Sequence, residues 1–79
     1  MVEITNIKRD GDFISCNYHP EGKDVSGFIK VSISKNKTVE HKEAPWDCCL
    51  STYASMARVC LMDIKDKVPY RDKYEAYWY

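Results

Sequence analysis

The chain has 79 residues, which is the length of one small domain covering residues 1–79. Its hydrophobic content of 44% and aromatic content of 13% are typical of a folded protein and exclude a disordered chain. Twelve basic residues balance twelve acidic ones, so no net charge attracts the protein to nucleic acid or to an anionic membrane.

Alternation of apolar and polar residues predicts four consecutive strands in the first half of the chain. Asp10-Gly11 separates the first two and is a strong hairpin signal, because glycine adopts positive φ without strain. The third strand alternates most regularly, with Ile29, Val31 and Ile33 on one face. The predicted strands are residues 2–8, 13–19, 27–34 and 38–42.

The same alternation predicts which side chains of the outer strands face the core. In the first strand, Val2, Ile4 and Asn6 share one side. In the fourth strand, Val39 and His41 are expected to point inward. The other residues of the fourth strand are polar, which is typical of a strand at the edge of a sheet.

A helix is predicted over residues 47–65. Pro45 and Asp47 are favourable near its N-terminus, and Val68-Pro69 ends it, because proline cannot continue the hydrogen-bond ladder. A helical projection places one apolar stripe against the sheet. The residues of this stripe are Trp46, Leu50, Tyr53, Ala54, Ala57, Cys60, Leu61 and Ile64.

Residues 74–79 are rich in aromatic side chains and predict a last strand, placed beside the first one. The whole order is ββββαβ. It predicts an α+β domain, with an antiparallel four-stranded meander, one long helix packed on one sheet face and a short C-terminal strand. Ala76 and Trp78 are expected to face the core, with Tyr77 and Tyr79 outside. A recognition patch is the alternative, because tyrosine and tryptophan are enriched at interfaces.

The back of the helix is more apolar than a single helical layer requires. Met56, Val59 and Met62, together with Cys48, form a second apolar line there. An exposed apolar line is typical of a protein interface, and methionine adapts to varied partners. The alternative is that other segments cover these residues or leave them singly exposed. We therefore expect a protein partner, with a homodimer as the simplest case.

The chain is expected to be cytoplasmic, with its thiols free. Its first residues lack the basic and apolar regions of a signal peptide. No stretch approaches the roughly 20 apolar residues of a membrane span. Four cysteines in a protein without an export signal are more typical of reduced thiols than of disulfides. They are Cys16, Cys48, Cys49 and Cys60.

Two cysteine sites are alternatives to the interaction hypothesis. Cys48 and Cys49 lie near the predicted helix N-terminus, where a thiol pKa falls, and His41 precedes them as a base or as a metal ligand. Cys16 and His19 have a spacing compatible with zinc, but residues three apart on a strand point to opposite faces. No Cys-x-x-Cys or family signature supports the catalytic reading, and no second regularly spaced ligand pair supports zinc.

A third alternative is weak nucleic-acid binding on the outer sheet face. Phe28 would be the stacking surface in the middle of that face. Glu40 and Asp24 lie nearby, so an ordinary solvated sheet face is the preferred interpretation. The basic residues of this strip are Lys30, Lys35, Lys37 and Lys42.

Short segments throughout the chain resemble a family of small bacterial proteins of unknown function, of the kind found in prophages and mobile elements. The matching segments are Ile14-Ser15-Cys16, the strand at 27–33, Ser51-Thr52-Tyr53-Ala54 and Trp78-Tyr79. The resemblance implies a complete domain of bacterial type in a cytoplasmic setting. It assigns no functional residue.

Together these patterns favour a non-enzymatic protein-interaction module over a catalyst. The chain has no phosphate-binding loop, nucleophile elbow or paired carboxylates. We therefore predict no cofactor, no metal, no catalytic residue and no small-molecule substrate.

Overall fold

A computed structural model describes residues 1–44 and 52–77 and confirms the predicted fold. Five antiparallel strands form one sheet in the order β4-β3-β2-β1-β5, so the last strand lies beside the first, as expected. One helix packs on the sheet. The elements are β1 (Val2–Asp10), β2 (Phe13–Pro20), β3 (Gly27–Ser32), β4 (Lys37–Lys42), α1 (Thr52–Ile64) and β5 (Lys73–Ala76).

The predicted hairpin at Asp10-Gly11 is present. Asp10 pairs with Phe13, which leaves Gly11 and Asp12 as a two-residue loop. Gly11 has a φ of 59°, a conformation that glycine adopts at no steric cost. Short loops with glycine in this position match the twist of the flanking strands and therefore fix the register of β1 against β2.

The hydrophobic core lies between the inner face of the sheet and α1. Alternate residues of β1, β2 and β3 point into it, as the period-two pattern predicts. The side of α1 that faces the sheet includes the small buried residues Ala54 and Ala57. The buried apolar residues are Val2, Ile4, Ile14, Cys16, Tyr18, Ile29, Val31, Ala44, Ala54, Ala57, Leu61 and Ile64.

A β-bulge in β1 corrects the prediction for Asn6. Thr5 pairs with Asn17 and Lys8 with Ser15, so two residues of β1 oppose Cys16 alone. Asn6 takes a φ of 54° and is exposed. The extra residue reverses the alternation, so the neighbouring residue Ile7 packs against the core in its place.

A second bulge corrects the prediction for β4. Lys30 pairs with Glu40 and Val31 with Thr38, which leaves Val39 as the extra residue. Val39 is 44% exposed, so its expected inward position was wrong. His41 is also exposed, but it pairs with Ile29, and its ring contacts a core side chain.

Several predicted features fall in residues 45–51 and 78–79, outside the described part of the chain. They include the start of the helix, the front-stripe residues Trp46 and Leu50, and the inward side chain Trp78. From Thr52 onward the front stripe is confirmed, because Ala54, Ala57, Leu61 and Ile64 are buried. Within the described residues, no helix is long and apolar enough to cross a membrane.

Candidate interaction surfaces

The outer face of α1 has one exposed apolar residue at its centre. Val59 is 49% exposed and points away from the sheet. Met56 and Met62 are half-buried and pack against the core. Because each residue turns a helix by about 100°, these two methionines lie roughly 60° to either side of Val59. The exposed apolar surface on the back of α1 is therefore narrower than the predicted line of three residues. Cys48, the fourth residue of that prediction, lies outside the described residues.

The surroundings of Val59 are polar. Ser55 and Asp63 are exposed on the same side of α1. Arg58 extends to the side and donates a hydrogen bond from Nη1 to Asn36 Oδ1 over 3.2 Å, which ties the helix to the β3–β4 turn. A small apolar centre within a polar rim is the usual composition of a non-obligate protein interface.

β5 forms one edge of the sheet. It pairs with β1 through Val2–Ala76, Glu3–Glu75, Ile4–Tyr74 and Thr5–Lys73. Among the described strands, none pairs with its outer side. An open groove of about 600 Å³ runs along residues 71–75 at this edge.

Arg71 and Tyr74 shape the groove beside β5. The Arg71 guanidinium lies 5.2 Å from the centre of the Tyr74 ring. The Arg71 backbone N–H also donates to the Tyr74 hydroxyl over 3.1 Å. Tyr74 itself is half-buried and packs against the core. The segment before β5 is therefore held in a fixed position beside the strand.

The pairing of β5 with β1 brings two like charges together. Glu3 and Glu75 are directly opposite each other on the outer face. Like charges in this position repel. Lys73 relieves the repulsion partly, because its Nζ lies 3.6 Å from Glu3 Oε2. Glu75 accepts a hydrogen bond from the Tyr77 hydroxyl over 2.9 Å, and no described cation forms an ion pair with it.

β4 forms the other edge, and all six of its residues are exposed. Its bulge at Val39 and its terminal residues Lys37 and Lys42 are features that discourage pairing with another chain.

Inside the sheet, His41 Nε2 lies 3.0 Å from the hydroxyl of the buried Tyr18. The same hydroxyl accepts a hydrogen bond from the Ala44 N–H over 3.0 Å.

Gly27 makes room for Tyr18 next to β4. A β-carbon at position 27 would come within 2.5 Å of Tyr18 Cε1 and 2.6 Å of the Lys42 carbonyl oxygen. These distances are shorter than any normal carbon contact. The Tyr18 ring therefore lies directly across the Gly27 backbone, which positions its hydroxyl for His41 and Ala44.

The structure separates the pair with zinc-compatible spacing. Cys16 is fully buried on the inner sheet face, and this burial raises the pKa of its thiol. His19 is on the outer face, as expected. Its Nδ1 donates to the Lys23 carbonyl, and its Nε2 lies 2.9 Å from Thr5 Oγ1. The described residues contain no group of three side chains suited to a metal.

The other thiol site is only partly described. Cys48 and Cys49 lie outside the described residues, so their reactivity stays a prediction. Their suggested partner His41 already contacts the Tyr18 hydroxyl. Cys60 on α1 is half-buried, and burial raises the pKa of its thiol, which disfavours the reactive thiolate.

The outer sheet face places Phe28 between Asn17 and Lys42 in one cross-strand row. Lys30, in the next row, pairs with Glu40, and its Nζ lies 5.0 Å above the Phe13 ring. Glu40 partly neutralises the charge of Lys30, and the Lys30 ammonium group already contacts the Phe13 ring. Nucleic-acid binding on this face stays a prediction.

Two carboxylates that are not among the predicted site residues, Asp12 and Glu21, join segments that are distant along the chain. Asp12 accepts hydrogen bonds from the hydroxyls of Ser32 and Ser34, each over 2.8 Å, and these bonds lower its pKa. Glu21 accepts from the N-terminal amine over 2.8 Å and from the Tyr53 hydroxyl over 3.0 Å, which lowers its pKa as well. No local sequence signal identifies such partners, because they lie far away along the chain.

The C-terminal end of α1 is held by side chains from other segments. The Lys65 carbonyl accepts hydrogen bonds from Arg9 Nη1 over 3.1 Å and from the Tyr70 hydroxyl over 2.7 Å. The Lys67 N–H donates to the Ile64 carbonyl over 2.8 Å. These contacts satisfy carbonyls that a helix leaves unpaired at its end.

No family model, curated protein or solved structure shows significant similarity to this chain. The resemblance to small bacterial proteins therefore stays a prediction.

Proposed function

We propose that this chain is a cytoplasmic, non-enzymatic protein-interaction module that binds its partner through the outer face of α1. The observation behind this proposal is Val59, which lies opposite the core and is 49% exposed. Met56 and Met62 flank it and can add apolar contact area without leaving the core. A second copy of the chain, related by a two-fold axis at Val59, is the simplest partner.

The titratable groups support a non-enzymatic role. The lowered pKa values of Asp12 and Glu21 are explained by hydrogen bonds that join separate segments of the fold. The raised pKa values of Cys16 and Cys60 are explained by burial. Each of these perturbed groups therefore has a structural cause, whereas catalytic groups are perturbed within a substrate-binding cleft.

A matched pair of valines tests the proposal. Val59→Glu places a charge at the centre of the proposed contact, and Val39→Glu places one on β4 at a similarly exposed position. We expect self-association, measured by sedimentation over a concentration series, to be weaker in Val59→Glu than in Val39→Glu. Equal behaviour of the two variants would argue against the outer face of α1 as the contact surface.

A further inference from the structure

The edge strand β5 carries a charge pattern that is complementary to itself. Lys73 and Glu75 both point to the outer sheet face and are exposed, with Tyr74 between them on the inner face. Along the strand, positive and negative charges are thus two residues apart. In antiparallel pairing, such a strand can oppose each charge of one copy with the opposite charge of another.

We propose that β5 pairs antiparallel with β5 of a second copy of this chain, in the register that sets Lys73 opposite Glu75 of that copy. The two-fold axis passes through Tyr74, so both Lys73–Glu75 contacts form at once. The two Tyr74 rings meet on the inner face, where aromatic cross-strand pairs are favourable. The two sheets then continue as one, with both helices on the same side.

Charge selects this register over its neighbours. A shift of two residues in one direction sets Glu75 opposite itself, and a shift in the other direction sets Lys73 opposite itself. Both arrangements place like charges of β5 in contact, which is unfavourable. The second also sets Arg71 opposite Glu75, but Arg71 precedes β5. A shift of one residue removes the charge pair and turns the second sheet over. The sequence of β5 therefore favours one pairing.

The charges within the chain support the same partner. Glu75 faces Glu3 across the β1–β5 pair, and Lys73 lies 3.6 Å from Glu3 Oε2. A second copy would bring its Lys73 to Glu75 and so place a cation beside a carboxylate that faces a like charge. The other edge lacks this complementarity in a regular strand, because β4 is interrupted by its bulge at Val39.

The pairing goes beyond the proposed contact on α1 because it uses a different surface. Glu75→Lys sets Lys73 opposite a lysine in both contacts of the pair. Glu40→Lys is the matched control, because it makes the same change of charge on the outer face of the other edge strand. The swap Lys73→Glu with Glu75→Lys reverses both charges and restores complementarity.

Sedimentation measured over a concentration series tests the β5 pairing. In a Val59→Glu background, which removes the contact proposed on α1, we expect the chain to dimerise and Glu75→Lys to raise the dissociation constant roughly tenfold or more, since two attractive contacts become repulsive. Glu40→Lys should leave the dissociation constant of this background unchanged, and the double swap should recover most of the affinity. A chain that stays monomeric, or a dimer that Glu75→Lys leaves intact, would overturn the proposal. Loss of the dimer in Val59→Glu but not in Glu75→Lys would assign the contact to α1 instead.

Discussion

The two edge strands of the sheet, β4 and β5, differ in how they meet their surroundings. β4 is interrupted by a bulge and anchored from inside, where the buried Tyr18 hydroxyl lies 3.0 Å from His41. β5 pairs regularly with β1 over its four residues and carries alternating charges on its exposed face. One edge therefore discourages pairing with another chain, whereas the other is suited to accept a strand.

Among changes that affect one edge strand and not the other, the largest loss of stability is expected from Gly27→Ala beside β4. The added β-carbon would collide with the Tyr18 ring and with the Lys42 backbone, so neither neighbour can simply rotate away. We expect a loss of about 3 kcal/mol in the free energy of unfolding, measured by urea denaturation.

Gly22→Ala, in the turn between β2 and β3, is the control for Gly27→Ala. There the nearest contact is the flexible Met1 side chain at 3.4 Å, and φ is 71°. Backbone strain alone should cost this control about 1 kcal/mol, which is less than a collision in the core. A Gly27→Ala variant as stable as the unmodified chain would contradict the close packing of β4 on Tyr18.

The next effect in size is expected from Tyr18→Phe. This change keeps the buried ring but removes the hydroxyl that accepts from the Ala44 N–H and contacts His41. We expect a loss of about 1–2 kcal/mol, because a buried N–H is left without its acceptor. Hydrogen exchange should become faster near Ala44 and in β4, with β5 unchanged. Equal acceleration at both edges would contradict the separate anchoring of β4.

A smaller effect is expected from acidification. Hydrogen bonds from Ser32 and Ser34 lower the pKa of Asp12, so its stabilisation is complete above the ordinary aspartate pKa of about 3.9. This stabilisation is lost as the pH falls through the lower pKa of the folded protein. We expect Asp12→Asn to show a shallower fall in stability below about pH 4 than the unmodified chain. Thermal unfolding at a series of pH values measures this, with Asp24→Asn as a control in another turn. Superimposable profiles for Asp12→Asn and the unmodified chain would remove the role of Asp12 in holding the β3–β4 turn.

The smallest effect is expected on the free energy of unfolding of the monomer when a charge on β5 is reversed. Glu75→Lys replaces the like-charged pair with Glu3 by an opposite one. At protein concentrations too low for dimers, we expect a gain of about 0.3 kcal/mol, since exposed cross-strand pairs contribute little. Urea denaturation of the dilute protein measures the change. A clear loss of stability would show that Glu75 has a structural partner more important than the repulsion from Glu3.

Much of the fold follows from local patterns. Period-two alternation predicts the strands, and Asp10-Gly11 predicts the first hairpin, because both depend on residues close in sequence. The bulges at Asn6 and Val39 do not follow, because each depends on the register of the neighbouring strand.

The candidate surfaces were predicted only in part. The position of Val59 on the back of α1 follows from helical periodicity. That Met56 and Met62 are half-buried depends on how far the sheet extends beneath each flank of the helix, which sequence does not specify. The complementarity of β5 requires knowing that it lies at an edge with Lys73 and Glu75 facing outward.

The most direct test of the β5 pairing mixes two single variants. In a Val59→Glu background, which removes the contact proposed on α1, Lys73→Glu and Glu75→Lys each place like charges in both β5 contacts, so each should sediment as a monomer. In an equimolar mixture, β5 of the first variant is acidic at positions 73 and 75, and β5 of the second is basic at both. Every contact between unlike variants is then complementary, so we predict that the mixture forms a one-to-one dimer. A mixture that sediments as two monomers, under conditions where the Val59→Glu chain is dimeric, would contradict the pairing.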